Sequence, residues 1–367
     1  MNTVESCGGK FTILSLDDAL ADDFTIRAWR EFSRVSDVYF DLNYLRLEAT
    51  RLGSSVHLST FVLGNEVVLR THLVRPIRSR STKMRRYVDF ITPFEFGGPI
   101  TLPSGLPPSK KLIELSQNAM NKYCTEQGII SEFVRFHPLL QNSNHWAKYY
   151  QLREVGDNYL IDLKLASEEI IQQYSRSQLR NIRRAQLTGA YVQKIPLKKR
   201  NIDIVQHLYN ENQARLNNPA EYCFASDYFS ALDQSVEKII SLYLCRSVLS
   251  KPVSALMVLC GNKYSHSHLI GSDPKFRTEI PNSLLYHEAA MDLKGQGLRY
   301  FHLGGAGEKQ HGVRAFKKGL STGAQPYFVG TKIYDQKVYT QLCKDAGASK
   351  LMENSEFFPL YRIFENS

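Results

Sequence analysis

The chain predicts an α/β protein with mixed sheets, built as two similar units in tandem. Three observations carry that expectation. Residues 281–294 have the pattern of an apolar-faced helix, Gly297 stops it, and an apolar strand Leu298–Leu303 runs into the diglycine Gly304-Gly305. An earlier stretch repeats the order, with a helix near 110–124, Gly128, and a strand Ile129–Phe136 ending at His137-Pro138. Each copy follows two or three strands and a tight turn, at Gly64-Asn65 in the first and Ser250-Lys251-Pro252 in the second. The halves share no residue-level identity, so the repeat is one of pattern, with one site per unit or one shared site. A chain of 367 residues is long for one core and suits two domains of roughly 150–200 residues. The expected division is 1–150 and 151–367.

Ala19–Phe32 and Leu42–Leu52 have helical spacing. Val56–Leu63 and Val67–Val74 form a hairpin around Gly64-Asn65. Tyr87–Thr92 is a strand running into Pro93-Phe94-Glu95-Phe96-Gly97-Gly98-Pro99, where two prolines and a glycine pair forbid long regular structure but leave aromatics free to face a pocket. Gln151–Asp162 is a connecting strand or pair of strands. Ser167–Leu187 is a long helix with Ile171, Tyr174, Ile182 and Ala185 on one face and Arg176, Arg180, Arg183 and Arg184 on the other. The strands Lys238–Val248, Pro252–Cys260 and Lys263–Ile270 follow, and the aromatic tail Ser355–Phe364 is expected to pack back on the body.

Composition narrows the class. An apolar fraction of 43% and a charged fraction of 22% are those of a globular chain. No run approaches the roughly 20 apolar residues that cross a bilayer. Residues 1–10 hold no basic segment followed by an apolar one, so a cytoplasmic location without membrane insertion is expected. Cys7, Cys124, Cys223, Cys245, Cys260 and Cys343 are scattered without short pairings, which predicts reduced thiols and neither a disulfide framework nor a zinc site. Part of the net charge of +10 lies between Arg75 and Arg86 and part on the arginine face of the 167–187 helix. Those faces are either simply solvated or attract a polyphosphate ligand. A nucleic-acid groove is disfavoured because no exposed aromatic stripe accompanies the arginines.

His266 and His268 share one face of a strand, but no neighbouring carboxylate or thiol completes a ligand set, so no metal is expected. Nucleophile elbows and Walker or Rossmann glycine patterns are absent. Gly304-Gly305-Ala306-Gly307 has the composition of a phosphate cradle without a helix opening directly behind it. Gly271-Ser272-Asp273-Pro274 follows a strand and Pro281-Asn282-Ser283 opens a helix, an arrangement whose backbone N–H groups suit a pyrophosphate. An ordinary capped helix has the same pattern.

Five stretches together resemble the two-domain branch of the GNAT N-acyltransferase superfamily that includes the Fem-type peptidoglycan aminoacyltransferases. They are Pro93–Pro99, Ser131–Leu140, Leu179–Ala185, Phe301–Gly305 and Phe316-Lys317. The chain is most similar to members that acylate nucleotide-linked amino sugars, of the dTDP-3-amino-3,6-dideoxyhexose type, for surface polysaccharides such as the O-antigen of lipopolysaccharide. The resemblance implies two tandem GNAT units, an acyl-CoA donor and a nucleotide amino-sugar acceptor as partners, and direct attack of the amine without metal. The superfamily's usual coenzyme loop, Arg/Gln-x-x-Gly-x-Gly/Ala, is missing, as is the coiled-coil arm of several Fem enzymes, and Ala306 replaces a usual third glycine.

Acyl transfer to an amine needs a proton acceptor and N–H donors for the oxyanion. His302 beside the diglycine, and Glu132 and His137 near the end of the matching strand in the first unit, are the candidate bases. His302 as a core histidine and Glu132 as a partner of Arg135 are the competing structural readings. Phe94, Phe96, Gly97, Arg135, Gly304, Gly305 and Lys317 are the candidate acceptor-binding residues. Gly271, Ser272, Asn282 and Ser283 are the candidates for holding coenzyme A. Two alternatives stay open: an aminoacyl-tRNA-dependent transferase acting on a peptidoglycan precursor, and a non-catalytic GNAT-fold binding module.

Overall fold

The computed structural model describes residues 2–6, 8–79, 82–216, 224–232, 234–279, 281–307, 310–352 and 355–364. The chain forms two compact units, one of residues 1–35, 39–154 and 328–367, the other of residues 36–38 and 155–327. The expected single cut at 150 thus differs from the observed division in one large respect: the last forty residues belong to the first unit.

The first unit opens with β1 (Asn2–Ser6), β2 (Gly9–Ser15), α1 (Leu16–Ala21), α2 (Asp23–Val35) and α3 (Leu42–Leu52). The one helix expected over 19–32 is two, because Asp22 ends the first and its carboxylate accepts the backbone N–H of Thr25 at 2.9 Å to cap the second. The hairpin is β3 (Ser55–Leu63) and β4 (Glu66–Pro76), followed by β5 (Val88–Ile91), β6 (Ile100–Leu102), α4 (Lys110–Gln127), β7 (Ile129–Arg135) and the short α5 (Ser143–Trp146). Strand order is β1-β2-β3-β4-β5-β7, with β6 on β4; among these strands, as described, the β5–β7 pairing is parallel and the others antiparallel. Helix α4 buries Leu112, Met120 and Cys124 against Phe11, Phe61, Phe90 and Val134 of the sheet.

The chain enters the second unit within β8 (Gln151–Asp162). There follow α6 (Ser167–Gln173), α7 (Arg176–Leu187), β9 (Tyr191–Ile195), α8 (Lys199–Leu216), α9 (Ser226–Ser230), β10 (Ile240–Arg246), β11 (Pro252–Cys260), β12 (Tyr264–Ser272), α10 (Pro281–Gly295), β13 (Tyr300–Gly304) and α11 (His311–Leu320). The order here is β8-β13-β12-β11-β10-β9, and again one pairing, β12 with β13, is parallel. The expected long helix 167–187 is broken at Tyr174-Ser175, where Ser175 Oγ accepts the N–H of Gln178 at 3.3 Å and starts a new helix. The break resets the helical phase, so Ile170 is buried rather than Ile171, whereas the arginines of α7 are exposed as the periodicity predicts. Leu285, Ala289 and Leu293 of α10 are fully buried against Leu256, Val258, Phe301 and Leu303. Each unit therefore carries a helix in the crossover between its two parallel strands, which a parallel pairing needs to be long.

β14 (Gly323–Ile333) returns the chain to the first unit, where Val329–Ile333 pair antiparallel with β7; α12 (Gln336–Asp345) and the tail complete it. The tail packs back as expected: Leu360 and Tyr361 are buried with Ile77, Ile130, Tyr339 and Leu342. Its polar anchor is Asp89 of β5, fully buried, which accepts from Arg362 Nε at 2.6 Å, the Tyr361 hydroxyl at 2.8 Å and Arg75 Nε at 2.8 Å. Asp89→Ala leaves two largely buried guanidinium groups without their carboxylate, an uncompensated charge worth about 3–5 kcal/mol. Chemical denaturation of this variant should show that loss in the first unit, together with early proteolytic release of the tail.

Candidate functional site

In the second unit the parallel pairing of β12 with β13 lasts three residues, Tyr264↔Tyr300, Ser265↔Phe301 and His266↔His302, and stops. β12 runs on for six more residues, still paired with β11, while the end of β13 turns toward β8, with Gly304 opposite Tyr159. Irregularities sit on both sides of this divergence. His268 is an extra residue in β12, since Met257 faces Leu269 and Val258 faces Ser267. Leu303 is extra in β13, since His302 faces Leu160 and Gly304 faces Tyr159. Gly304 completes that bulge with φ +80°, a conformation open to glycine at little cost. Two bulges beside one divergence re-aim both strands where their mutual pairing ends.

The side chains at this point are polar and buried. His266 and His302 are wholly inaccessible, with ring centroids 5.2 Å apart. His266 Nε2 lies 2.6 Å from Asp37 Oδ2, and Asp37 Oδ1 accepts its neighbour's N–H, from Val38, at 2.7 Å. The carboxylate reaches this depth because residue 261 is glycine: a Cβ there would stand 2.4 Å from Asp37 Oδ1. A carboxylate accepting from Nε2 fixes the ring orientation and tautomer of His266. The bulge sends His268 elsewhere, where its Nε2 meets the Tyr228 hydroxyl at 2.8 Å. The two histidines expected on one face thus serve different partners.

The diglycine is enclosed by two side chains. Lys317 Nζ of α11 donates to Gly305 O at 2.6 Å and lies 2.9 Å from where a Gly304 Cβ would be. Asn158 of β8 presses on Gly305, its Oδ1 2.7 Å from the position of an added Cβ. The structure therefore brings together four expected residues, His302, Gly304, Gly305 and Lys317, and adds Asp37, His266 and Asn158.

The expected coenzyme residues fare differently. Gly271 and Ser272 are not a loop but the last two residues of β12. Gly271 is buried, and a Cβ would stand 2.4 Å from the backbone of Leu208 and Tyr209 in α8. Its missing side chain admits a helix, not a phosphate. Ser283 is fully buried and donates to Gln178 Oε1 at 2.7 Å, whose Nε2 reaches Phe316 O at 3.3 Å, so it links α10 to α7 and α11. Asn282, half-buried, accepts from Ser254 Oγ through Oδ1 at 2.5 Å.

In the first unit the corresponding parallel strands stay closed. Past Ile91↔Phe133, Thr92 N donates to Phe133 O and Gly97 N to Arg135 O at 2.8 Å, so the segment 92–97 continues as a neighbour of β7. That segment is clamped: Phe94 N donates to Glu48 Oε2 at 2.9 Å, the Tyr39 hydroxyl to Glu95 Oε2 at 2.5 Å, and Asn142 Nδ2 to Gly97 O at 2.8 Å. Phe96 is buried, its ring 5.2 Å from that of His137, whereas Phe94 is half-buried under Arg51. His137 is buried and its Nδ1 accepts the Leu140 N–H at 3.2 Å, which makes it a turn-holding residue. Glu132 is buried too, accepting the hydroxyls of Tyr150 at 2.9 Å and Tyr334 at 2.6 Å. Arg135 lies over the Phe133 ring and is not the partner of Glu132. His72 Nδ1 stands 3.8 Å from Glu132, but burial pushes the His72 pKa well below the ordinary value, with the Arg70 charge adding to it, so the contact is dipolar.

Thiol chemistry is disfavoured where it is visible. Burial raises the pKa of Cys124 well above normal and those of Cys260 and Cys343 to about 11. Cys124, Cys260 and Cys343 carry free thiols; Cys7 and Cys223 lie outside the described residues.

Residues 176–318 match the acetyltransferase (GNAT) domain family. The second unit has the GNAT fold. No curated protein sequence matches the chain. Among solved structures it is similar to FemX, with a TM-score of 0.58 at 11% identity over 81% of this chain and 92% of that one. The C-terminal domain of a putative lysylphosphatidylglycerol synthetase from Agrobacterium fabrum gives 0.53 at 14% identity, over 88% and 95%. A tandem GNAT protein from the clavulanic acid biosynthesis pathway gives 0.51 at 11%, over 89% and 99%. At such identities the likeness is one of fold. Among the described residues no helix is long and apolar enough to cross a membrane.

Two measurements check the site's architecture. Gly271→Ala should cost more than about 2 kcal/mol of stability, since it forces a methyl group into helix backbone; unchanged stability with weakened coenzyme binding would restore Gly271 to the ligand site. Below about pH 6.5 the unfolded chain takes up a proton that buried His72 refuses, so stability rises with pH there and is lost on acidification. The slope should approach about 1.4 kcal/mol per pH unit for this residue and shrink in His72→Gln, read from urea unfolding at pH 5.0–7.5.

Proposed function

We propose that the chain is an acyl-CoA-dependent N-acyltransferase whose chemistry occurs in the second unit, where β12 and β13 part. The observation that carries this reading is the coincidence of the GNAT match with a divergence flanked by bulges and lined by His302, the diglycine and Lys317. The released edge of β12 offers backbone groups for an extended amide-bearing chain such as the pantetheine of acyl-CoA. Helix α10 starts nearby, with Asn282 N–H and its neighbours at the positive end of the helix. Gly271 and the Ser283 side chain have packing roles, so the donor is held chiefly by main chain.

The acceptor is a nucleotide-linked amino sugar, of the dTDP-3-amino-3,6-dideoxyhexose class. Lys317 supplies positive charge suited to a sugar diphosphate beside the diglycine. The amine lone pair attacks the thioester carbonyl carbon, the carbon–sulfur bond breaks, and coenzyme A leaves as the thiol. His302 takes the amine proton and passes it to the departing sulfur, with the His266–Asp37 pair beside it. No acyl-enzyme forms, consistent with the raised thiol pKa values of Cys124, Cys260 and Cys343.

A second reading keeps the same fold with an aminoacyl-tRNA donor. The exposed arginines at 176, 180, 183 and 184 on α7 favour it, because a polyanionic donor would be drawn to them. Release of free thiol on mixing acyl-CoAs with amino-sugar nucleotides supports the first reading. Amine acylation from charged tRNA alone would replace it.

His302→Asn should reduce kcat by roughly a hundredfold, within the range for losing a general base, with donor binding intact by calorimetry. Near-wild-type turnover would move proton removal to solvent or another group. Double-reciprocal plots should intersect, and intact mass after acyl-CoA alone should show unmodified protein.

A further inference from the structure

We infer that one end of the second unit is a docking surface for an anionic phospholipid membrane, a surface that lies on the bilayer and does not cross it. The inference is independent of the acyltransferase reading and concerns where the chain works.

Among the described residues, the three most exposed large apolar side chains are Leu187, Leu249 and Val248, at 78%, 74% and 67%. Apolar residues exposed singly are ordinary, whereas a cluster of them marks a surface that meets a partner. These three are clustered. Leu187 ends α7, and two residues further on a Cβ at Gly189 would stand 2.9 Å from Val248 Cγ2, in the turn between β10 and β11. Tyr191, also exposed, pairs with Arg246, and its hydroxyl lies 3.1 Å from Ser250 Oγ, so an aromatic ring joins the same tip. The turn is braced from within, where Ser247 N donates to Lys251 O at 2.9 Å and Arg246 Nη1 to Ser250 O at 2.8 Å.

Charge decides what covers this tip. No acidic residue occurs from Arg176 to Arg200 or from Arg246 to Pro252. On α7, Arg183 and Arg184 precede Leu187 by one helical turn and Arg180 by two, so guanidinium groups border the leucine. Those three arginines and Lys251 are exposed. Asp273 comes to the same end of the sheet, its N–H bonding Val253 O at 3.0 Å, and its carboxylate accepts the Lys275 N–H at 2.9 Å. Aliphatic side chains rimmed by cations suit the headgroup boundary of a bilayer, with leucines among acyl chains and guanidinium groups on phosphates. A polynucleotide would satisfy the arginines alone. Leucine and valine give bases nothing to stack on, because stacking takes an aromatic or guanidinium plane.

The test uses the full chain with three probes: vesicles of equal parts phosphatidylglycerol and phosphatidylcholine, vesicles of phosphatidylcholine alone, and transfer RNA. Wild type should sediment with the anionic vesicles at an affinity at least about tenfold above that for the neutral ones. Leu187→Ser combined with Leu249→Ser should lower that affinity about tenfold or more, with the melting temperature unchanged. Arg183→Gln combined with Arg184→Gln should lower it roughly twentyfold, at about fivefold per cation. Leu249→Trp reports contact with acyl chains directly: brominated phosphatidylglycerol should quench the added indole, whereas Trp29 and Trp146 are buried and stay bright. Should the leucine double variant not fold, Leu249→Trp carries the test. Equal binding to both vesicle types, wild-type affinity in the folded leucine double variant, or an unquenched Leu249→Trp overturns the membrane assignment. Binding to transfer RNA without binding to vesicles also overturns it and gives the face to a polynucleotide.

Discussion

Three residue pairs of parallel sheet, Tyr264 to His266 against Tyr300 to His302, set the geometry on which the second unit depends. Parallel strands need a crossover, and α10 supplies it, so the apolar stripe of that helix fixes both strands before they part. Where pairing stops, each strand carries one extra residue, and the backbone groups freed on the inner edges have no strand partner from one another. A sheet that ends its own ladder in the middle of a strand gives up hydrogen bonds, and bulges next to such places are features of sites rather than of cores. The buried pair of His266 and Asp37 occupies the last rung. It replaces apolar packing with an oriented imidazole, an arrangement that costs desolvation and offers polarity in return.

The first unit repeats the helix between parallel strands and omits the divergence. There the main chain of 92–97 stays beside β7, clamped by Glu48, Tyr39 and Asn142. Glu95 takes φ +74° within this clamp, a conformation a non-glycine residue holds only when its surroundings insist. Glu132 and His137, equivalent by pattern to residues near the second site, are engaged in holding Tyr150, Tyr334 and the turn to Leu140. Two units of one pattern have thus diverged in what the end of the parallel pair does, and the buried charges of the first are arranged for stability. The same unit gathers the chain's tail through Asp89, which joins residues more than 270 positions apart.

Glycine positions show how one residue type serves opposite ends. Gly304 permits a bulge and Gly305 makes room for Asn158, so both shape the candidate site. Gly271, which the same compositional logic assigns to a phosphate, is filled by the backbone of α8. A missing side chain records that something approaches closely; it does not record whether that is ligand or protein.

Local chemistry alone made much of this legible. The periodicity of Leu285, Ala289 and Leu293, the stop after Lys294, the hairpin at Gly64-Asn65 and the arginine face of α7 are short-range patterns, and the structure has them. The grouping of His302, the diglycine and Lys317 was also readable, because strand, loop and helix follow one another within twenty residues. The break at Tyr174-Ser175 was not, since nothing in helical spacing distinguishes a capping serine from one on a helix surface until the chain turns. Contacts of long range decided the rest. Asp37 meets His266 across 229 positions, Asn158 meets Gly305 across a strand pairing, and the last forty residues join the first unit through β7 and Asp89. Sequence fixes which groups are available and how neighbours are spaced; only folding, which sets the register of strands and the burial of charges, determines which of them meet.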